Sequence, residues 1–205
     1  MADLDRALAE IAMIRCQMAR SIEFRGLGAA TLVGTGVMAL AAAAAQELWI
    51  RDPANHIVAY IWLWIGVAAL SALMIAGEAS TRAVRAHSGL AQEMILNAVG
   101  QFSPAAVAGA LLTAVLYRAA PAVLWILPGL WQVVFSLGIF ASRRSLPAAI
   151  GLAGGWYLAS GLTCLAIGDG ANALSPWLMG LPFGVGQSLM AAVIYHNGRG
   201  TDGEA

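Results

Sequence analysis

The chain has 205 residues, 60% of them hydrophobic and 11% charged, with a mean hydropathy of +0.75, which excludes an ordinary soluble domain. Eleven basic and eleven acidic side chains cancel, so nothing in the charge balance points to nucleic acid. All eleven basic residues are Arg, and with abundant Ala and Gly this is the codon signature of a GC-rich bacterial genome.

Residues 1–25 carry Leu4, Leu8, Ile11, Ile14, Met18 and Ile22 at spacings of three and four, interrupted by Arg6, Glu10, Arg15, Arg20, Glu23 and Arg25. The pattern predicts an amphipathic helix lying on a membrane interface; the sharper alternative is a docking or self-association helix. No cleaved signal peptide is evident, because the charged lead is long for one, although Ala41–Ala45 mimics a small-residue cleavage site.

Six apolar spans follow, at about 26–49, 53–77, 103–118, 121–141, 147–168 and 175–195. In the first, Gly26, Ala30 and Gly34 put small residues on one face, suited to close helix approach. Arg51-Asp52-Pro53 is a tight polar turn. Between spans two and three the chain turns polar, and a helical extension, a break at Ser88-Gly89 and a short amphipathic helix are expected. Glu78 and Arg82 stand at a favourable i,i+4 spacing. In span five, Gly151, Gly155 and Ala159 form a small-residue ridge, and Ser136, Ser160, Thr163 and Ser188 are placed to bond their own helix backbones four residues back. Residues 197–205 are expected to be a disordered tail.

The prolines fit this division. Pro53, Pro104, Pro121, Pro147 and Pro176 fall at span starts, where a missing N–H does no harm. Pro128 and Pro182 fall inside spans four and six. Arginines set the orientation. With the N-terminus in the cytoplasm, nine arginines lie inside and only Arg51 and Arg118 outside. Both termini are then cytoplasmic, and Trp49, Trp125 and Trp177 fall near the outer interface as an aromatic belt.

No carboxylate or arginine sits in the middle of a span. Ion-coupled transporters, proton pumps and voltage sensors place ionisable groups there, so such mechanisms are not expected. His56, His87 and His196 do not face one another at mid-depth as haem ligands do. CxxC, HExxH, GxSxG and P-loop signatures are missing. The glycines of GLGAATLVGTG lie inside a span and suit helix packing better than a nucleotide. Cys16 precedes the first span and Cys164 lies within the fifth, so no mutual disulfide is expected. No metal or cofactor is predicted, and no pair of acid and base at depth supports an enzyme.

Spans four and six share an order: WILPGLWQ holds Trp125, Pro128, Trp131 and Gln132, and WLMGLPFGVGQ holds Trp177, Pro182 and Gln187. A proline inside a span frees the carbonyl four residues earlier, and a Gln amide on a neighbouring helix can meet it. One expectation is therefore two kinked helices bonded through Gln and packed at Gly180 and Gly184. The alternative is a pocket at these seven residues for a neutral amphiphile, lipid or quinone-like ring. On the inner face, Glu78, Arg82, Arg85, His87, Glu93, Arg143, Arg144 and His196 form either a solvated, salt-linked surface or a cytoplasmic docking face.

The stretches LWQVVFSLGIFASRRSLP and LSPWLMGLPFGVGQ make the chain, from Gly26 to Tyr195, similar to uncharacterised six-span bacterial inner-membrane proteins. That resemblance implies the fold and carries no activity. The expectation is an all-α integral membrane bundle of six transmembrane helices in a bacterial cytoplasmic membrane. Its expected role is a non-enzymatic accessory or regulatory component, with the lipid bilayer and a second copy or another protein as partners. The competing role is a pore, facilitator or binder for a small neutral solute, lipid or quinone-like molecule.

Overall fold

An apolar run of about twenty residues satisfies its own peptide groups best as a helix. The computed structural model describes residues 28–86, 89–144, 147–168 and 172–202, and within these no side chains at 82–96, 98, 144 and 198–202. The described residues form six α-helices: α1 (Ala29–Trp49), α2 (Ile57–Ala86), α3 (Gly89–Ala119), α4 (Leu127–Ala141), α5 (Gly151–Ile167) and α6 (Trp177–Asp202). Short 3-10 turns at Pro121–Ile126 and Ala148–Ile150 lead into α4 and α5, and Ser142–Arg144 closes α4. Among the described residues six stretches are long and apolar enough to cross a membrane, which fits a multi-pass membrane protein. The predicted helix at 1–25, with Cys16 and Gly26, lies outside the described residues.

Each helix packs on its neighbours in the chain, and α6 returns to α1, so the six close into an up-and-down ring. The α1–α6 and α4–α5 pairs are the most intimate and α2–α3 the lightest. Glycine explains both close pairs. A Cβ on Gly180 would meet the Ala43 Cβ at 2.5 Å, and one on Gly36 would meet the Gly184 carbonyl at 3.2 Å. Between α4 and α5, a Cβ on Gly129 would meet the Gly161 carbonyl at 2.6 Å, and the reverse contact is 2.8 Å.

These contacts correct three expectations. Gly180 and Gly184 pack on α1, not on span four. The face of α1 that meets α6 is Gly36, Ala39 and Ala43, while Gly34 looks toward Met74 of α2. In α5 the packing glycines are Gly154 and Gly161; Gly155 is open and Ala159 exposed, so the predicted ridge is on the wrong face. A helix that is apolar all round shows no preferred side in its sequence.

The prolines inside apolar stretches number three rather than two. Pro104 does not start a helix: α3 begins at Gly89 and carries Pro104 inside, where the predicted short helix and span three merge. The carbonyl that Pro104 frees is that of Gly100, and the Ser103 hydroxyl donates to it at 3.1 Å. Pro128 does not kink a helix but stands in the first turn of α4. The 3-10 winding before it gives the Leu124 carbonyl to the Leu127 N–H, so nothing is left open. Only Pro182 lies in a helix interior with its freed carbonyl deep in the protein.

The two ends of the ring differ. At one end the helices stop where their apolar stretches stop, and the α1–α2 connection is a turn in which the Asp52 carboxylate accepts from Asn55 Nδ2 at 2.7 Å. At the other end α2 runs on to Ala86, α3 begins at Gly89 and α6 reaches Asp202, so these helices take in the polar residues Arg82, Arg85, Glu93 and Arg199. Residues 197–202 are therefore helical rather than the expected tail. The start of α1 lies at this same end, where the Gly28 N–H donates to Glu78 at 3.1 Å.

Candidate functional site

Pro182 leaves the Leu178 carbonyl without a helical partner. Gln132 of α4 supplies one: its Nε2 donates to Leu178 O at 2.8 Å and to Pro128 O, one turn back, at 3.1 Å. Cys164 of α5 lies against the same amide at 3.6 Å. Gln132 is wholly buried, and the close approach of Gly129 and Gly161 holds α4 and α5 around it. The expected Gln-to-proline bond therefore exists in one direction. The reciprocal bond from Gln187 does not, because the Leu124 carbonyl is already taken.

The seven residues of the predicted pocket divide among separate settings. Trp131, next to Gln132 but a hundred degrees around the helix, turns to α2 and α3. Its indole stacks on Tyr60 with centroids 6.2 Å apart and donates to Thr113 Oγ1 at 2.8 Å. Trp125 and Trp177 are partly exposed at the end of the ring where the chain turns are short. Pro182 accepts, through its carbonyl, from Trp156 Nε1 at 2.9 Å. Gln187 lies further along α6, buried beside Tyr157. A shallow groove of about 360 Å³ between α1 and α6, lined by Leu40, Leu181, Gly184, Val185, Ser188 and Leu189, contains none of the seven.

Gln46 carries a buried link that the sequence reading missed. Its Nε2 donates to Leu174 O at 2.9 Å and its Oε1 accepts from Trp64 Nε1 at 2.8 Å, which ties α1 to α2 and to the turn before α6. The available signal was an amide inside an apolar run, but its neighbour Glu47 made it look like a span end. Gln46→Leu is expected to destabilise by about 1–2 kcal/mol, because it orphans a buried carbonyl and an indole N–H. The exposed Glu47→Gln serves as the control, with an expected change within about 0.5 kcal/mol. Chemical unfolding in detergent micelles measures both, and equal small effects would remove Gln46 from the framework.

Of the predicted docking face, Glu78, Arg143 and His196 have described side chains. Glu78 accepts from the Gly28 N–H at the start of α1. Arg143 lies over Gly151, with its Nε 3.3 Å from where a Cβ would be, and His196 is exposed against the Tyr195 ring. Arg82, Arg85 and Glu93 stand on the extended ends of α2 and α3, and Arg144 closes α4. Their side chains, and His87 altogether, lie outside the described residues.

Among the described residues no group of His, Cys, Asp and Glu is arranged to hold a metal. No family model, curated protein or solved structure matches the chain.

Proposed function

We propose that the protein is a non-enzymatic accessory or regulatory component of a bacterial cytoplasmic membrane, with both termini inside and its N-terminal helix on the inner interface. It acts by docking a protein partner at its cytoplasmic end. One observation carries this reading: at one end of the ring α2, α3 and α6 continue into helical segments that carry charge, α2 out to Ala86, α3 from Gly89 and α6 to Asp202. These segments hold Arg82, Arg85, Glu93 and Arg199 in a chain whose charge is otherwise scarce. The excess of arginine at this end supports its cytoplasmic placement. Charged helix ends suit specific recognition more than they suit solvation alone.

The test is site-specific photo-cross-linking in membranes. A photoreactive side chain at Arg85, Glu93 or Arg143 is expected to give an adduct of one defined mass. One at Val115, which is exposed on the apolar part of α3, is expected to give none. Adducts from Val115 alone, or from no position, would sink the proposal.

The alternative, a facilitator or binder for a small neutral solute, lipid or quinone-like molecule, draws on the buried polar atoms that lack partners. It requires solute flux in reconstituted vesicles that falls on Gln132→Leu or Gln187→Leu.

A further inference from the structure

Five polar atoms buried inside the ring have no hydrogen-bond partner among the described residues. They are the hydroxyls of Tyr60, Ser136 and Tyr157 and the amide oxygens of Gln132 and Gln187. Every one of these residues is more than nine-tenths buried. They come from four different helices and fall into a row. Tyr60 of α2 stacks on Trp131, the residue before Gln132 of α4, and Cys164 Sγ of α5 lies 3.6 Å from Gln132 Nε2. Gln132 and Ser136 are one turn apart on the buried face of α4. At the far end the tip of the Tyr157 ring lies against Gly186, the residue before Gln187 of α6. Cys164 and Tyr157 are two turns apart on α5, so the middle of the row is roughly 10 Å long at helical rise.

Ser136 shows that the row is not a by-product of helix packing. Thr113, Ser142, Thr163 and Ser188 each donate to the carbonyl four residues back, the default for a hydroxyl in a helix. Ser160 does the same three residues back. Ser136 has the same option and does not take it. Each unpartnered buried polar group is destabilising, and five in one core would rival the stability of a whole domain.

The chemistry of the row defines what meets it. Two amide oxygens need donors and three hydroxyls need acceptors, so the ligand must do both. A charged ligand has no counter-charge, because the carboxylates and arginines with described side chains lie near helix ends or in turns. A large ligand has no room. Phe135, Tyr157 and Phe183 meet with centroids 4.8 to 5.3 Å apart, and the Gly129–Gly161 contact closes the α4–α5 seam. Water is amphiprotic, neutral and small. We propose that the row from Tyr60 to Gln187 is a binding site for a short file of about three water molecules, each with two or more protein partners. The site is independent of whether the cytoplasmic end docks a partner.

Hydroxyl-radical labelling by a brief X-ray pulse, with the intact protein in a lipid nanodisc, tests this, because radicals form from water where it is bound. Tyr157 and Cys164 are expected to be oxidised about ten-fold faster than Met179, which is equally enclosed and shares a cluster with Tyr60 but carries no hydrogen-bonding group. A second readout is the thermal midpoint of Tyr157→Phe, which falls if the hydroxyl is bonded to water and rises if it is an orphan. Protection of Tyr157 and Cys164 to the level of Met179, or a raised midpoint in Tyr157→Phe, would overturn the proposal.

Discussion

Gly129→Ala and Gly161→Ala are each expected to destabilise the protein by about 3 kcal/mol, at the upper end of what a single added methyl does in a packed core. The obstacle in both cases is backbone. The new Cβ would stand 2.6 Å from the Gly161 carbonyl in the first and 2.8 Å from the Gly129 carbonyl in the second. A carbonyl inside a helix cannot rotate away as a side chain can, so α4 and α5 must separate. Separation also loosens Gln132, whose Cβ lies 3.0 Å from the position of a Cβ on Gly161. Gly155→Ala on the same helix points into open space. It is expected to stabilise by about 0.5–1 kcal/mol through helix propensity alone. Unfolding of the three variants in the same detergent separates the cases. If Gly155→Ala and Gly161→Ala behave alike, the α4–α5 contact is not close.

Gln132→Leu is expected to cost about 2–3 kcal/mol, and most of that cost is expected to vanish in a Pro182→Ala background. The reasoning concerns one carbonyl. With proline at 182, Leu178 O is held by Gln132 Nε2 at 2.8 Å and by the Cys164 thiol at 3.6 Å, and with Leu at 132 only the weak sulfur donor remains to it. Alanine at 182 restores the helical N–H, and Leu178 O then needs no help from α4. The double-mutant cycle should therefore show a coupling of about 1.5 kcal/mol or more. Additive effects would mean that Gln132 acts mainly through its other contacts, Pro128 O and Cys164.

The Pro182–Gln132 bond was legible because it follows from a local rule. A proline frees the carbonyl four residues back, water is scarce, and amides are few in an apolar chain. The existence and number of apolar helices were legible from run length. The faces were not. In α1, α5 and α6 nearly every residue is apolar or small, so nothing in the order distinguishes Gly34 from Gly36 or Gly155 from Gly154. Which glycine meets a partner depends on how the ring closes, above all on the return of α6 to α1. Pro104 misled for a related reason. A proline after Ser103 looks like a helix start, but the same serine repairs the carbonyl that Pro104 frees, so α3 passes straight through. Of the polar row from Tyr60 to Gln187 only Gln132 and Gln187 stood out in the sequence; Tyr60, Ser136 and Tyr157 did not, because the members come from four helices and only tertiary packing brings them together.

The docking reading is tested most directly by native mass spectrometry of the protein extracted with its lipids and partners retained. The account predicts a complex with a second protein at fixed stoichiometry. That complex should be lost when Arg82, Arg85 and Glu93 are replaced by Ala, and the six-helix protein itself should remain folded. A chain that flies only alone, or only with a bound small molecule of defined mass, would contradict the account and point to the facilitator or binder instead.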